Sequence, residues 1–202
     1  FGIFLTGFLQ SAGIEVQSIE DAVLSSVVPS LNPIVERMMR EYFGVESGRI
    51  SYESDLPLEI LYPRPHEIGA DRLVNAAAAS QIHGGDLIII DFGTATTFGV
   101  LHGRKYLGGS IAPGLKMSME ALSTRTAQLP PIEFRHPPSG IIGDSTVHAI
   151  QSGFFYGWLG MIREITRQIQ EAHPEANYRV IATGGLATPL HKERPDLFDE
   201  ID

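Results

Sequence analysis

Leu87-Ile88-Ile89-Ile90-Asp91-Phe92-Gly93-Thr94-Ala95-Thr96-Thr97-Phe98-Gly99-Val100-Leu101 is an apolar run that ends in a carboxylate and then a small, hydroxyl-rich turn. Four consecutive aliphatics bounded by Gly84-Gly85 and Gly93 predict a strand buried on both faces. An Asp at the end of such a strand is poorly solvated unless a cation or several hydrogen-bond donors face it. Gly93 lets a ligand approach the backbone, while Thr94, Thr96 and Thr97 set short hydroxyls beside exposed N–H groups, which suits a phosphate or a hydrated metal. A second apolar segment follows at residues 98–101, so the turn is the tip of a β-hairpin. A plain hairpin with a polar turn fits the same letters, and the neighbouring segments decide between the two.

Downstream, His102-Gly103-Arg104-Lys105 is another turn and residues 106–111 a third strand, which makes a β-meander closed by Ala112-Pro113-Gly114. A helix is predicted over 117–126, then a Pro-rich connector over 129–138. Residues 146–171 carry the longest helical pattern, with Val147, Ile150, Phe154, Trp158, Met161, Ile162, Ile165 and Ile169 on or near one face. Phe155, Tyr156 and Leu159 widen its apolar surface beyond the stripe that one core needs, which suits either a second partner surface or burial on two sides within a large domain. A strand over 178–182 runs into Thr183-Gly184-Gly185, and Pro189 opens a last helix. Upstream, residues 1–12 read as a helix stopped by Gly13, and 22–28 as a strand closed by Pro29. Ser30 is the expected N-cap of the next helix. Residues 44–65 break into short extended pieces and deliver the chain to a helix beginning at Gly69-Ala70-Asp71-Arg72. Strands alternating with helices around a meander predict a layered α/β fold.

With 202 residues, 43% of them hydrophobic, the chain can bury one large core or two small ones. A net charge of -9 argues against nucleic acid as the main partner. The chain has no Cys, hence no disulfide or thiol nucleophile, which fits a reducing compartment. No apolar run is long enough to span a bilayer. The start, at Phe1 rather than Met, and the equally abrupt end give the sequence the look of a fragment.

Asp71-Arg72 sets a carboxylate and a guanidinium side by side in the first turn of a helix. Asp there can be a capping residue, or a general base beside a cation that holds a substrate carboxylate. Gly108-Gly109-Ser110 can be hairpin punctuation, and Thr183-Gly184-Gly185 alone is a weak nucleotide signal.

Five stretches in series, Y-x-x-P-x-x-x-G-A-D-R (62–72), D-F-G-T-A-T-T-F (91–98), G-G-S-I-A-P-G (108–114), G-D-S-T-x-x-A-I-Q-S-G (143–153) and A-T-G-G-L-A (182–187), resemble the type III pantothenate kinases in order and spacing. The resemblance covers nearly the whole chain. It implies the acetate kinase, sugar kinase, Hsp70 and actin superfamily: a ribonuclease H-like, actin-like ATPase fold of two domains with β-meander sheets flanked by helices. It implies phosphorylation of pantothenate by ATP, a phosphotransfer to an alcohol that opens coenzyme A synthesis, in a cytoplasmic homodimer using Mg2+ and a monovalent cation, K+ or NH4+. The expected domains are 1–66, the remainder of the N-terminal one, and 67–202, with the last helix or strand free to return to the first.

The same resemblance makes Asp71 the base for the pantothenate hydroxyl, and Tyr62, Gly69, Ala70, Asp71 and Arg72 the lining of the pantothenate site, with Arg72 on the carboxylate. Asp91 holds the monovalent cation, Gly93 and Thr94 meet the ATP phosphates, and Thr183, Gly184 and Gly185 lie near the adenosine. Thr146 contacts pantothenate in the neighbouring subunit. The family also has a first strand and a D-x-G-N-T loop for phosphates and Mg2+, which does not occur here; the expectation is that this meander and a short C-terminal piece lie outside the given sequence. The rival readings are a kinase of another hydroxylated acid or sugar, and a non-catalytic relative of the transcription accessory factor kind.

Overall fold

The computed structural model describes residues 1–126 and 128–202. The chain forms two compact units, Phe1–Leu56 with Pro63–Ala77, and Pro57–Tyr62 with Ala78–Asp202.

In unit 1, helices α1 (Gly2–Ser11) and α2 (Asn32–Phe43) pack so closely that a Cβ on Gly2 would lie 2.5 Å from the Tyr42 ring. Strand β1 (Ala22–Leu24) pairs in parallel with β2 (Ser47–Arg49), Ala22 opposite Ser47. The strand expected over 22–28 is thus only three residues long, because β2 offers a ladder of just that length. Ser30 is not an N-cap: it lies in a 3-10 turn, Pro29–Leu31, and α2 starts after Leu31 without a side-chain cap. Pro33 takes the second helical position, where a missing N–H costs nothing. Helix α2 stops at Gly44 in the left-handed conformation.

Unit 2 is built on a sheet of six strands among the described residues. They are β3 (Glu59–Ile60), β4 (Leu87–Phe92), β5 (Ala95–His102), β6 (Lys105–Pro113), β7 (Arg179–Gly184) and β8 (Glu200–Ile201), in the order β3-β6-β5-β4-β7-β8. Strands β4, β5 and β6 form the expected antiparallel meander, and β7 and β8 add in parallel beyond β4. Only β5 runs against the others, which is the ribonuclease H-like arrangement. Residues 87–90 are no more than 4% exposed, so β4 is the doubly covered strand that its aliphatic run predicts.

Helices α4 (Leu115–Arg125) and α5 (Thr146–Ala172) follow the meander, and α6 (Ala187–Glu193) joins β7 to β8. Helix α5 lays Phe155, Trp158, Leu159 and Ile162 into one core with Ile88, Ile90, Phe92 and Val180. Trp158 and Ile162 of the expected stripe are in the core, but the buried face is rotated from the expected one. Phe155 and Leu159, read as surplus surface, are central to the core, while Ile150, Phe154 and Met161 line an apolar groove with Leu122, Gly153, Gly157 and Trp158. A helix apolar around much of its girth does not declare which side faces the sheet. Helix α3 (Ala70–Ile82) belongs to unit 1 through Ala77 and to unit 2 from Ala78. Among the described residues no helix is long and apolar enough to cross a membrane.

Candidate active site

The strand ends of unit 2 gather residues that are far apart in the chain. In the parallel pair β4–β7, Asp91 stands opposite Thr183 and Phe92 opposite Gly184, so both strands present their carboxyl ends at one edge, where open α/β sheets bind ligands. Asp91 is half-buried, and Gly93, Thr94, Gly184 and Gly185 are exposed around it. Gly184 has φ +89°, and a Cβ there would come within 2.7 Å of Asp91 Oδ1 and of the Phe92 carbonyl oxygen. Glycine is therefore required both by the backbone and by the room that the carboxylate occupies. On the other side of the turn the Gly93 N–H donates to the Ala95 carbonyl at 3.1 Å, closing the hairpin.

Thr94 meets a segment that the sequence marks only as the close of the meander. Ala95 pairs with Pro113, and Gly114, the N-cap of α4, packs against the Thr94 carbonyl so tightly that a Cβ would lie 2.0 Å from its oxygen. The Asp91 turn thus abuts the N-terminus of an eleven-residue helix, with its free N–H groups and positive dipole end. The signal was present in the Ala112-Pro113-Gly114 break, but only the β5–β6 register shows which turn it meets.

In unit 1, Gly69 to Arg72 form the start of α3, after a 3-10 turn at Pro65–Glu67. The Asp71 Oδ1 accepts the Arg72 N–H at 2.8 Å. A Cβ on Gly69 would lie 2.4 Å from that oxygen, so the glycine makes space for the carboxylate. Asp71 and Arg72 are both half-buried and Ala70 is buried. Asp71 and Asp91 therefore lie in different units, each seated by a glycine.

Tyr62, in unit 2, lays its ring over Gly108 of β6, where a Cβ would approach to 2.9 Å. Thr146 is the exposed first residue of α5. Ser145 rather than Thr146 caps the helix, accepting the His148 N–H at 3.2 Å. Beside it the hydrogen bonds of His148 and Ser139 hold the Asp144 carboxyl below the usual carboxylate range.

Residues 1–168 match the family model of the type III pantothenate kinases. The chain belongs to this family. It is 43% identical to the type III pantothenate kinase of Pelobacter propionicus, covering 100% of this chain and 79% of the relative. To the enzyme of that name from Geotalea uraniireducens it is 41% identical, covering 100% and 78%. A crystal structure titled as a conserved putative Baf family transcriptional activator from Campylobacter jejuni shares the fold, with TM-score 0.57, 19% identity, 93% of this chain and 78% of that one. The five motifs that suggested the family are thus found in a chain of its fold, and the Asp91 and Asp71 motifs sit on well-defined strand and helix ends.

Proposed function

We propose that this member of the type III pantothenate kinases transfers the γ-phosphoryl group of ATP to the hydroxyl of pantothenate, giving 4'-phosphopantothenate and ADP, the opening step of coenzyme A synthesis, in the cytoplasm. The family membership supports kinase activity and ATP use. The observation that carries the site assignment is the convergence of Asp91, Gly93, Thr94, Thr183 and Gly184 at one sheet edge beside the start of α4. A phosphoryl transfer needs such positioned donors and charges more than covalent help.

In this reading Asp71 accepts the proton of the pantothenate hydroxyl as its oxygen attacks the γ-phosphorus, and the bridging oxygen departs with ADP. Arg72 pairs with the pantothenate carboxylate as a planar, two-pronged donor. Tyr62, Gly69 and Ala70 complete the pantothenate side. Gly93 and Thr94 meet the phosphates and Thr183 to Gly185 the adenosine. Asp91 fits a monovalent cation, K+ or NH4+, since the glycine at 184 leaves its carboxylate uncrowded. Mg2+ accompanies ATP and neutralises phosphate charge; it takes only one or two protein carboxylates. The working unit is a homodimer, for which the groove on α5 supplies an apolar face of about 390 Å³ with two glycines that admit a close neighbour.

The test is ADP release by the intact enzyme with pantothenate, with sugars and with short hydroxy acids. Pantothenate-dependent release is expected. Release with a sugar alone would transfer the reading to another kinase, and none with any acceptor would favour a regulatory relative.

A further inference from the structure

A cavity of about 300 Å³ lies wholly within unit 2, between the Phe134–His136 segment and Thr188, Pro189 and Lys192 of α6. Both walls are held in place. The buried Gln151 side chain donates from Nε2 to the Glu133 carbonyl at 3.3 Å, and Pro137 is buried one residue beyond His136. On the other side Ala187 and Leu190 anchor α6 in the core and leave Thr188, Pro189 and Lys192 exposed. The base of the cavity is aromatic: Phe134 stacks on the buried Phe155 ring with centroids 5.9 Å apart, and His136 meets the same ring edge to face at 4.9 Å.

The rim of the cavity is cationic. Most arginines of this acidic chain pair with a carboxylate, as Arg37, Arg64, Arg167 and Arg194 do. Arg135 and Lys192 face the cavity from opposite walls and make no ion pair among the described residues, against one lining acid, Glu193. A guanidinium is a two-pronged phosphate donor and an ammonium a point charge, while aromatic faces take a flat ring. We propose that the cavity binds a small phosphate monoester of an aromatic or heteroaromatic ring: the ring lies against Phe134 and His136, and Arg135 and Lys192 hold the phosphate between the two walls. The volume is at the small end for ligand sites, which suits one ring and one phosphate. None of these residues is assigned to pantothenate or ATP in the proposed reaction, although α6 follows the Gly184-Gly185 turn directly.

The test is calorimetric titration of the intact enzyme, saturated with a non-hydrolysable ATP analogue, using phenyl phosphate, inorganic phosphate and phenol in turn. Expected is one saturable site per chain for phenyl phosphate, about tenfold or more tighter than for either half of the molecule. Arg135→Gln with Lys192→Gln should weaken it about tenfold or more and Glu193→Gln should tighten it, with kcat and both KM values within about twofold of wild type. All three side chains are exposed, so the variants keep the fold. Phenyl phosphate binding no tighter than that of inorganic phosphate, or unchanged in the double variant, would overturn the proposal. Loss of binding in the presence of the analogue, or a tenfold rise in KM for ATP in the double variant, would give the cavity to the substrate nucleotide and overturn it equally.

Discussion

In the proposed reaction Asp71 and Asp91 are carboxylates of the same kind with different tasks. Asp71 sits at a helix start with its oxygen against Gly69, and in the proposed reaction it is the base. Asp71→Asn keeps the shape and removes the base, so kcat should fall by roughly 10² to 10⁴ with Tm little changed. Steady-state kinetics beside a melting curve decide it, and turnover near wild type removes Asp71 from the role. Asp91 ends a doubly buried strand, and its predicted task is electrostatic. Activity should rise with potassium or ammonium and much less with sodium, and Asp91→Ala should abolish that dependence. Equal rates in the three chloride salts would remove the cation from the site.

Helix α5 separates two apolar duties on one element. Phe155 is 2% exposed, stacks on Phe134 and meets His136 and Tyr156 edge to face. Phe155→Ala should cost about 3 to 5 kcal/mol through lost burial and a residual cavity. For a chain of this size that is a fall in Tm of roughly 6 to 20 °C, read by calorimetry. Phe154 lines the groove instead, so Phe154→Ala should leave monomer stability much less affected and weaken self-association in sedimentation. Equal losses of Tm in the two variants would mean that α5 has one buried face and no partner surface.

For the whole molecule, the proposed dimer has sites shared between subunits, with Thr146 reaching the partner's pantothenate. Mixing an inactive Asp71→Asn subunit with a Thr146→Arg subunit should then give heterodimers with one doubly damaged and one intact site, recovering a fraction of wild-type activity. Light scattering at micromolar concentration checks the assembly first. A monomer, or no recovery from subunits shown to have exchanged, would sink the shared site and leave the kinase assignment standing.

The sequence by itself determined the meander, the long helix and the carboxylate and hydroxyl-rich turn at the tip of the central hairpin. These are local properties: an aliphatic run too long for a half-exposed strand, glycines at the turns and a carboxylate at a strand end announce themselves within a few residues. The five motifs likewise declared the family, because their order and spacing survive without any fold. What faces what was decided only in three dimensions. The β4–β7 register sets Asp91 against Thr183, and β5–β6 brings Gly114 to Thr94, because ladder pairing joins segments that no local period connects. The sheet chose which side of α5 to bury, since several sides were apolar enough. Strand β8 is two residues long, too short for any pattern, yet it carries Glu200 and leads directly to Asp202. His83 meets Glu200 and Asp202 only because the fold lays that strand end beside the end of α3.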